Sequence, residues 1–184
     1  SSVSHMGYVL MGIGTLHALG LKGAVMQMFS HGVMTALFFT LAGAIYDRTP
    51  SRDIGVLEGL AKRMGWTAAF FAIAALASLG LPGLSGFVAE LLVFLGLFQT
   101  YPVLGALGVI GAAITAIYTL RLVAKVFFGE LPDRWRDQTD LARLEGFSAA
   151  VLAAFILVVG LFPFPFINAI NGAVTSLLSF VTGL

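Results

Sequence analysis

Cysteine is absent from all 184 residues. That excludes disulfides and any iron–sulfur cluster or zinc site held by thiolates within this chain. Charge is nearly as scarce: Asp, Glu, Lys and Arg make up 10% of the residues, where a soluble domain carries about 25%. With 59% hydrophobic residues, the composition is that of an all-α polytopic membrane protein. The net charge of +1 comes without a basic patch, so nucleic acid is not an expected partner. The start, Ser1-Ser-Val-Ser-His5, lacks an initiator Met and the basic stretch of a signal peptide. It reads as the middle of a membrane helix, with more of the protein expected upstream. Gly12-Ile-Gly14 lacks the third glycine of a dinucleotide fingerprint and sits in an apolar run, which suits helix packing. The three histidines are too scattered to read as a zinc or haem site, and no Ser/His/Asp arrangement stands out.

What the chain does have is apolar segments of membrane-spanning size. A single membrane domain, 1–184, divides into spans at about 1–16, 23–46, 66–99, 103–128 and 147–165, followed by a tail at 166–184. The first is short, and a brief link, His17-Ala-Leu-Gly-Leu-Lys22, joins it to the second. Polar loops cover 47–65 and 129–146, and Gln99-Thr-Tyr-Pro102 is a tight turn. In the tail, Ile167, Ile170, Val174, Leu177, Leu178 and Val181 repeat at helical spacing. Asn168, Asn171, Thr175, Ser179 and Thr182 take the opposite face. That is an uncharged amphipathic helix, expected at the membrane interface or against a neighbour, with a sixth span as the alternative.

The third segment is the unusual one. As a single helix, 66–98 would extend about 50 Å across a hydrocarbon core of about 30 Å. Within it lies Gly80-Leu-Pro-Gly-Leu-Ser-Gly-Phe-Val-Ala-Glu90, where Gly80, Gly83 and Gly86 at a spacing of three, together with Pro82, predict a break. Broken backbone at membrane depth is tolerated only where it is buried in protein or lines a wet cavity. Just beyond stands Glu90, the one acidic residue inside an apolar segment; the other eight lie in or beside the two long loops. Nine of the ten Lys and Arg residues are there too, with Lys22 on the other side. By the positive-inside rule both loops are cytoplasmic, and five spans would leave the C-terminus outside.

An ionisable group beside a discontinuous helix suggests an ion pathway. Burial and the N-terminus of the half-helix act on the Glu90 carboxylate in opposite senses, a balance suited to reversible protonation. The alternative is a structural carboxyl paired with a cation of a neighbouring chain, since an unpaired intramembrane charge costs about 3 kcal/mol or more. His5 and His31 also sit in apolar segments, each after a serine (Ser4, Ser30). Gln27, His31 and Thr35 form one polar stripe at i, i+4, i+8, suited to holding waters. Imidazole donates and accepts near neutral pH, so it fits a relay, although a histidine satisfied by an interhelical hydrogen bond is the plainer alternative. His17 and Lys22 read as interfacial residues. Thr115, Tyr118 and Thr119, followed by Arg121 and Lys125, give the fourth span a polar edge toward the cytoplasm.

These residues carry a resemblance. Ser1-Ser-Val-Ser-His-Met-Gly-Tyr8, Gln27-Met-Phe-Ser-His31-Gly, Tyr46-Asp-Arg-Thr-Pro-Ser-Arg-Asp-Ile54 and Gly80 to Glu90 resemble the antiporter-like, proton-translocating membrane subunits of NADH:quinone oxidoreductase, respiratory complex I. Glu rather than Lys at position 90 makes the chain most similar to the subunit M, or chain 4, type. The resemblance implies fourteen spans in the whole subunit, built on two inverted five-helix repeats. This chain would be a C-terminal fragment holding the last five, without the upstream Glu–Lys pair and central Lys. It also implies that Glu90, His31 and His5 relay protons, supported by Ser4, Gln27, Ser30 and Thr35 beside the break at Gly80, Pro82, Gly83 and Gly86. No cofactor is expected in this chain; NADH, flavin, iron–sulfur clusters and quinone would belong to other subunits. The implied partners are other membrane subunits, sister antiporter-like subunits above all, and the lipid bilayer, and the implied location is the bacterial cytoplasmic (inner) membrane. The alternatives are a subunit of a multisubunit cation/proton antiporter or membrane hydrogenase, or a non-conducting structural module.

Overall fold

The computed structural model describes residues 1–183; Leu184 and the side chain of Thr182, both in the tail, lie outside the described residues. The elements in order are α1 (Ser2–Gly14), α2 (Ala18–Arg48), α3 (Gly65–Ser78), α4 (Ser85–Thr100), α5 (Pro102–Phe127), α6 (Arg143–Leu161) and α7 (Phe164–Thr182). No strand occurs among the described residues. By length and composition, α2, α5, α6 and α7 can each cross a membrane, while α3 and α4 are shorter apolar helices. The chain is a polytopic all-α membrane protein.

Local chemistry sets the helix ends. α2 begins at Ala18, so the connection from α1 is shorter than the link expected at 17–22 and Lys22 lies inside the helix. His17 Nδ1 accepts the Leu19 N–H at 3.3 Å, and Thr15 Oγ1 accepts the His17 N–H at 3.2 Å. These acceptors satisfy donors that a helix start otherwise leaves open. Pro102 opens α5, where its missing N–H has no intrahelical partner to lose. α3 stops at Ser78 in a Schellman motif: Gly80 N–H donates to Ala77 O and Leu81 N–H to Leu76 O, with Gly80 at φ +65°. Gly83, at φ +92°, makes the second reversal, and α4 starts at Ser85. Gly86 is not part of the irregular backbone. It belongs to α4 and lets that helix lie against the Ala77 carbonyl at the end of α3.

α2 is the central helix, and small residues bring its neighbours close. A Cβ on Gly23 would come within 2.5 Å of the Val93 backbone N of α4, and one on Gly96 within 2.6 Å of the Gly20 backbone N. Gly12 of α1 faces the Gly20 carbonyl, where a Cβ would sit 2.7 Å away. Such contacts suit a membrane, where close backbone approach replaces the hydrophobic drive that water would supply. The break is buried on α6: Gly160 faces the backbone of Gly83 and Leu84 with no room for a side chain.

On the side of the two long loops, Leu37, Leu41, Leu60, Met64, Phe71, Phe127 and Ile156 form the main apolar core. The loops lock above it. Arg48 donates to both oxygens of Glu145, at 2.6 and 3.3 Å, and to the Asp140 carbonyl. The Asp140 carboxylate accepts the Trp66 N–H, the Thr67 N–H and hydroxyl, and the Leu141 N–H, capping α3 from across the chain. Partial burial pushes this carboxyl upward, but those four donors prevail and hold it below the usual carboxylate range.

The tail at 166–184, expected at the membrane interface or against a neighbour with a sixth span as the alternative, forms α7, which by length and composition alone is also able to cross a membrane. Its Phe166, Ile167 and Ile170 pack on Met26, Ala89 and Val159, and Asn168, Asn171, Thr175 and Ser179 are exposed. The helix is amphipathic as expected. Its uncharged polar face is light enough not to forbid a crossing, which would return the chain end to the side of the loops.

Candidate functional site

Four helices meet where α3 ends. Ser78 is the last residue of α3, Glu90 lies in the second turn of α4, His5 in the first turn of α1, and Gln27 in the third turn of α2. His5 is their common neighbour. Its Nε2 lies 3.1 Å from Ser78 Oγ, and its Nδ1 lies 3.0 Å from Gln27 Nε2. The Gln27 amide donates to Nδ1, which puts the ring proton on Nε2, directed at the serine. The same Nδ1 stands 3.8 Å from Glu90 Oε1, beyond direct hydrogen bonding but within reach of one water or a small side-chain rotation.

Glu90 is only 7% exposed, and no cation of Lys or Arg lies within ion-pair distance of it among the described residues. Its second oxygen rests against the break: a Cβ on Gly80 would be 2.6 Å from Glu90 Oε2. Gly80 therefore serves twice. It accepts the left-handed backbone that ends α3, and it leaves space for the carboxylate.

The polar line continues from His5. The His31 ring lies 5.6 Å away, centroid to centroid, and the Tyr8 ring 5.9 Å away. His31 Nε2 contacts Ser2 Oγ at 3.1 Å and Thr35 Oγ1 at 3.2 Å. His5 is buried, His31 half-buried and Ser2 exposed, so the line runs from the interior outward. On the far side, Ser30 and Ser85 join α2 to the start of α4 at 2.7 Å. Ser4 Oγ meets Thr115 Oγ1 of α5 at 3.1 Å. Two buried polar atoms of this region, Gln27 Oε1 and Tyr8 Oη, have no hydrogen-bond partner among the described residues; the tyrosine hydroxyl stands near Ser4 and Thr115 without meeting hydrogen-bond geometry.

The candidate residues read from the sequence thus fall into one region. His5, Gln27 and Glu90 form its centre; His31 and Thr35 extend it along α2; Ser4 and Ser30 link it to α5 and α4. Of the break residues, Gly80 touches the site, Gly83 and Gly86 shape the backbone around it, and Pro82 is exposed. Four participants were not anticipated: Ser2, Tyr8, Ser78 and Ser85. Ser78 had one usable signal, its place immediately before the break. Thr115, read as part of an edge toward the cytoplasm, faces Ser4 instead. Arranged in this way, the groups can hold and pass protons: Glu90 Oε1 stands within one water of His5 Nδ1, and the His31 ring lies beside that of His5. Among the described residues no three of His, Asp and Glu gather as a metal site would require.

Comparison with known proteins follows the same region. The family model described as "NADH:quinone oxidoreductase/Mrp antiporter, TM" matches residues 1–115, which include every residue of this cluster. The chain is 44% identical over 172 residues to NAD(P)H-quinone oxidoreductase chain 4 2 of Thermosynechococcus vestitus, covering 89% of this chain and 32% of that protein. It is 38% identical over 179 residues to NADH-quinone oxidoreductase subunit M of Rickettsia conorii, covering 97% of this chain and 36% of that one. Among solved structures, a chain of respiratory complex I from Thermus thermophilus with bound NADH superposes with a TM-score of 0.86 at 34% identity, over 95% of this chain and 37% of that chain. The chain therefore spans about a third of the length of the curated relatives it matches.

Proposed function

The chain belongs to the NADH:quinone oxidoreductase/Mrp antiporter membrane family, and from that premise we propose that it carries part of the proton path of an NADH:quinone oxidoreductase. The observation that carries this reading is His5, held between Ser78, Gln27 and Glu90 beside the broken helix. A scaffold has no need of a buried carboxylate without a cationic partner, and a dry bundle is destabilised by one.

In this proposal Glu90 is the terminal proton holder, and His5 exchanges protons between it and His31. The imidazole can take a proton at Nδ1 from the Glu90 side and release the other at Nε2, because it donates and accepts on opposite edges. Gln27 and Ser78 are positioning residues: they fix the ring and set which nitrogen faces the carboxylate. Gly80 keeps the carboxylate beside the break. Redox chemistry belongs to other subunits, and electron transfer from NADH to quinone drives the protons through changes of charge along the membrane arm. The partners are further membrane subunits, sister antiporter-like ones among them. Both long loops face the cytoplasm of a bacterial inner membrane, in keeping with their load of Arg and Lys.

The test is NADH-driven proton translocation in membrane vesicles containing the complex of the full-length parent, wild type against Glu90→Gln. NADH oxidation with an artificial acceptor reports assembly. Loss of pumping with normal acceptor activity supports the path; unchanged pumping overturns it. The matching family also covers Mrp antiporters, so cation/proton exchange is the second reading. It requires proton movement in response to an imposed sodium gradient without NADH, which the first reading does not.

A further inference from the structure

Away from the proton-handling cluster, a cavity of about 470 Å³ opens along the loop-side end of α2. That is within the range of about 300–1,000 Å³ typical of small-molecule pockets. Buried Ile45, Phe71 and Val126 form its floor, and Phe39, Gly43, Tyr46 and Arg52 follow one another along its length toward the loop. Phe39, Gly43 and Tyr46 are exposed, so the cavity is an open groove on the surface of this chain rather than a closed core void.

Its chemistry is graded along its length. The end farther from the loop is formed by Phe39, Ala42 and Gly43, whereas Ser51 and Arg52 supply polar groups at the loop end. The Arg52 guanidinium lies 4.8 Å above the centre of the Tyr46 ring. Stacking holds it over the groove mouth, and among the described residues no carboxylate pairs with it. Tyr46 stands at the end of its helix, where aromatic rings occupy the headgroup layer. A groove with an apolar floor and one free cation at its rim complements an amphiphile with a negative head.

We propose that this groove binds an anionic phospholipid, with an acyl chain along Phe39 and Gly43 and the phosphate on Arg52. Basic sites between membrane helices on the cytoplasmic side recognise such headgroups by charge. The site is distinct from the His5–Glu90 cluster and stands independently of the proposed proton path.

The test uses the assembled complex of the full-length parent in phosphatidylcholine nanodiscs containing a trace of photoactivatable phosphatidylglycerol. Cross-linked peptides are identified by mass spectrometry. Labelling is expected on the segments around 39–46 and 51–57, with competition by excess phosphatidylglycerol and little by phosphatidylcholine. Arg52→Gln is expected to weaken labelling about five-fold, and Arg52→Lys to restore much of it. Gly43→Phe is expected to abolish it by filling the groove; a Cβ at Gly43 meets nothing within 4 Å, so the helix has room for the side chain's first carbon, and acceptor-linked NADH oxidation of the variant complex checks assembly. Labelling absent from these segments overturns the proposal, as when another part of the protein fills the groove. So does labelling that Gly43→Phe removes but Arg52→Gln leaves unchanged, which would mark an apolar slot without headgroup selection.

Discussion

Glu90 and His5 stand on different helices, yet the Oε1 of one and the Nδ1 of the other lie 3.8 Å apart. The separation is short enough for a single water to bridge and too long for a permanent hydrogen bond. A proton can be held on either side without the pair collapsing into one fixed ion pair.

Series coupling is the first consequence. If protons pass from Glu90 through His5, then His5→Ala and Glu90→Gln each remove most of the protons moved per NADH. The double variant removes no more than the larger single effect, since groups acting as one unit are not additive. Protons counted per NADH oxidised in vesicles decide it. Losses that multiply would mean two separate paths.

Gly80 and Gly83 separate backbone strain from site geometry. Both have positive φ, so alanine at either is expected to destabilise the subunit by about 1–2 kcal/mol. Only at Gly80 does the new Cβ meet Glu90, 2.6 Å from Oε2; at Gly83 its nearest neighbour is Leu161, at 3.7 Å. Gly80→Ala should therefore lower pumping toward the level of Glu90→Gln. Gly83→Ala should lower thermal stability to a similar degree with pumping largely kept. Melting curves and pumping ratios of the two variants, taken together, test the distinction.

The contact of the break with α6 makes a prediction about packing alone. A Cβ on Gly160 would run into the backbone of Gly83 and Leu84, and backbone cannot yield as a flexible side chain does. Gly160→Ala should cost about 1–3 kcal/mol, as overpacking does. Gly172→Ala, on α7 with open space around it, should be neutral or slightly stabilising, because alanine favours the helix. The readout is the thermal midpoint of each purified variant in detergent.

How far these features were legible depends on how local their cause is. The break was readable because Gly80, Pro82 and Gly83 act through their own backbone preferences. Glu90 was readable because a lone carboxylate in an apolar run is costly whatever surrounds it. The partners of Ser78 and Ser85 were not, since a serine hydroxyl in an apolar helix is satisfied as easily by its own i−4 carbonyl as by a neighbour. Thr115 does both, bonding the Gly111 carbonyl and Ser4. Asp140 sat among other loop charges, and nothing local marks a carboxylate that caps a helix more than 70 residues earlier in the chain. For the tail the periodicity gave the amphipathic helix, and a face alone does not say whether lipid or protein covers it.

Asp140 provides the last prediction. Four donors converge on its carboxylate and hold its folded-state pKa below the ordinary value. A depressed folded pKa stabilises the fold above the unfolded-state pKa, near 3.9, and that contribution is lost as pH falls through the lower folded value. From pH 7 to 5 this group should make no difference; its contribution should begin to fall only below about pH 4 and vanish below the depressed folded value. Asp140→Asn keeps one acceptor oxygen but turns the other into an amide that cannot accept the Trp66 N–H. The variant should lose about 1 kcal/mol at neutral pH, the usual scale for a helix cap, and should shed part of the acid sensitivity. Melting of the wild type and the variant in detergent at pH 7, 5 and 3 measures both effects. Equal acid sensitivity in the two proteins would assign the pH response to other carboxylates.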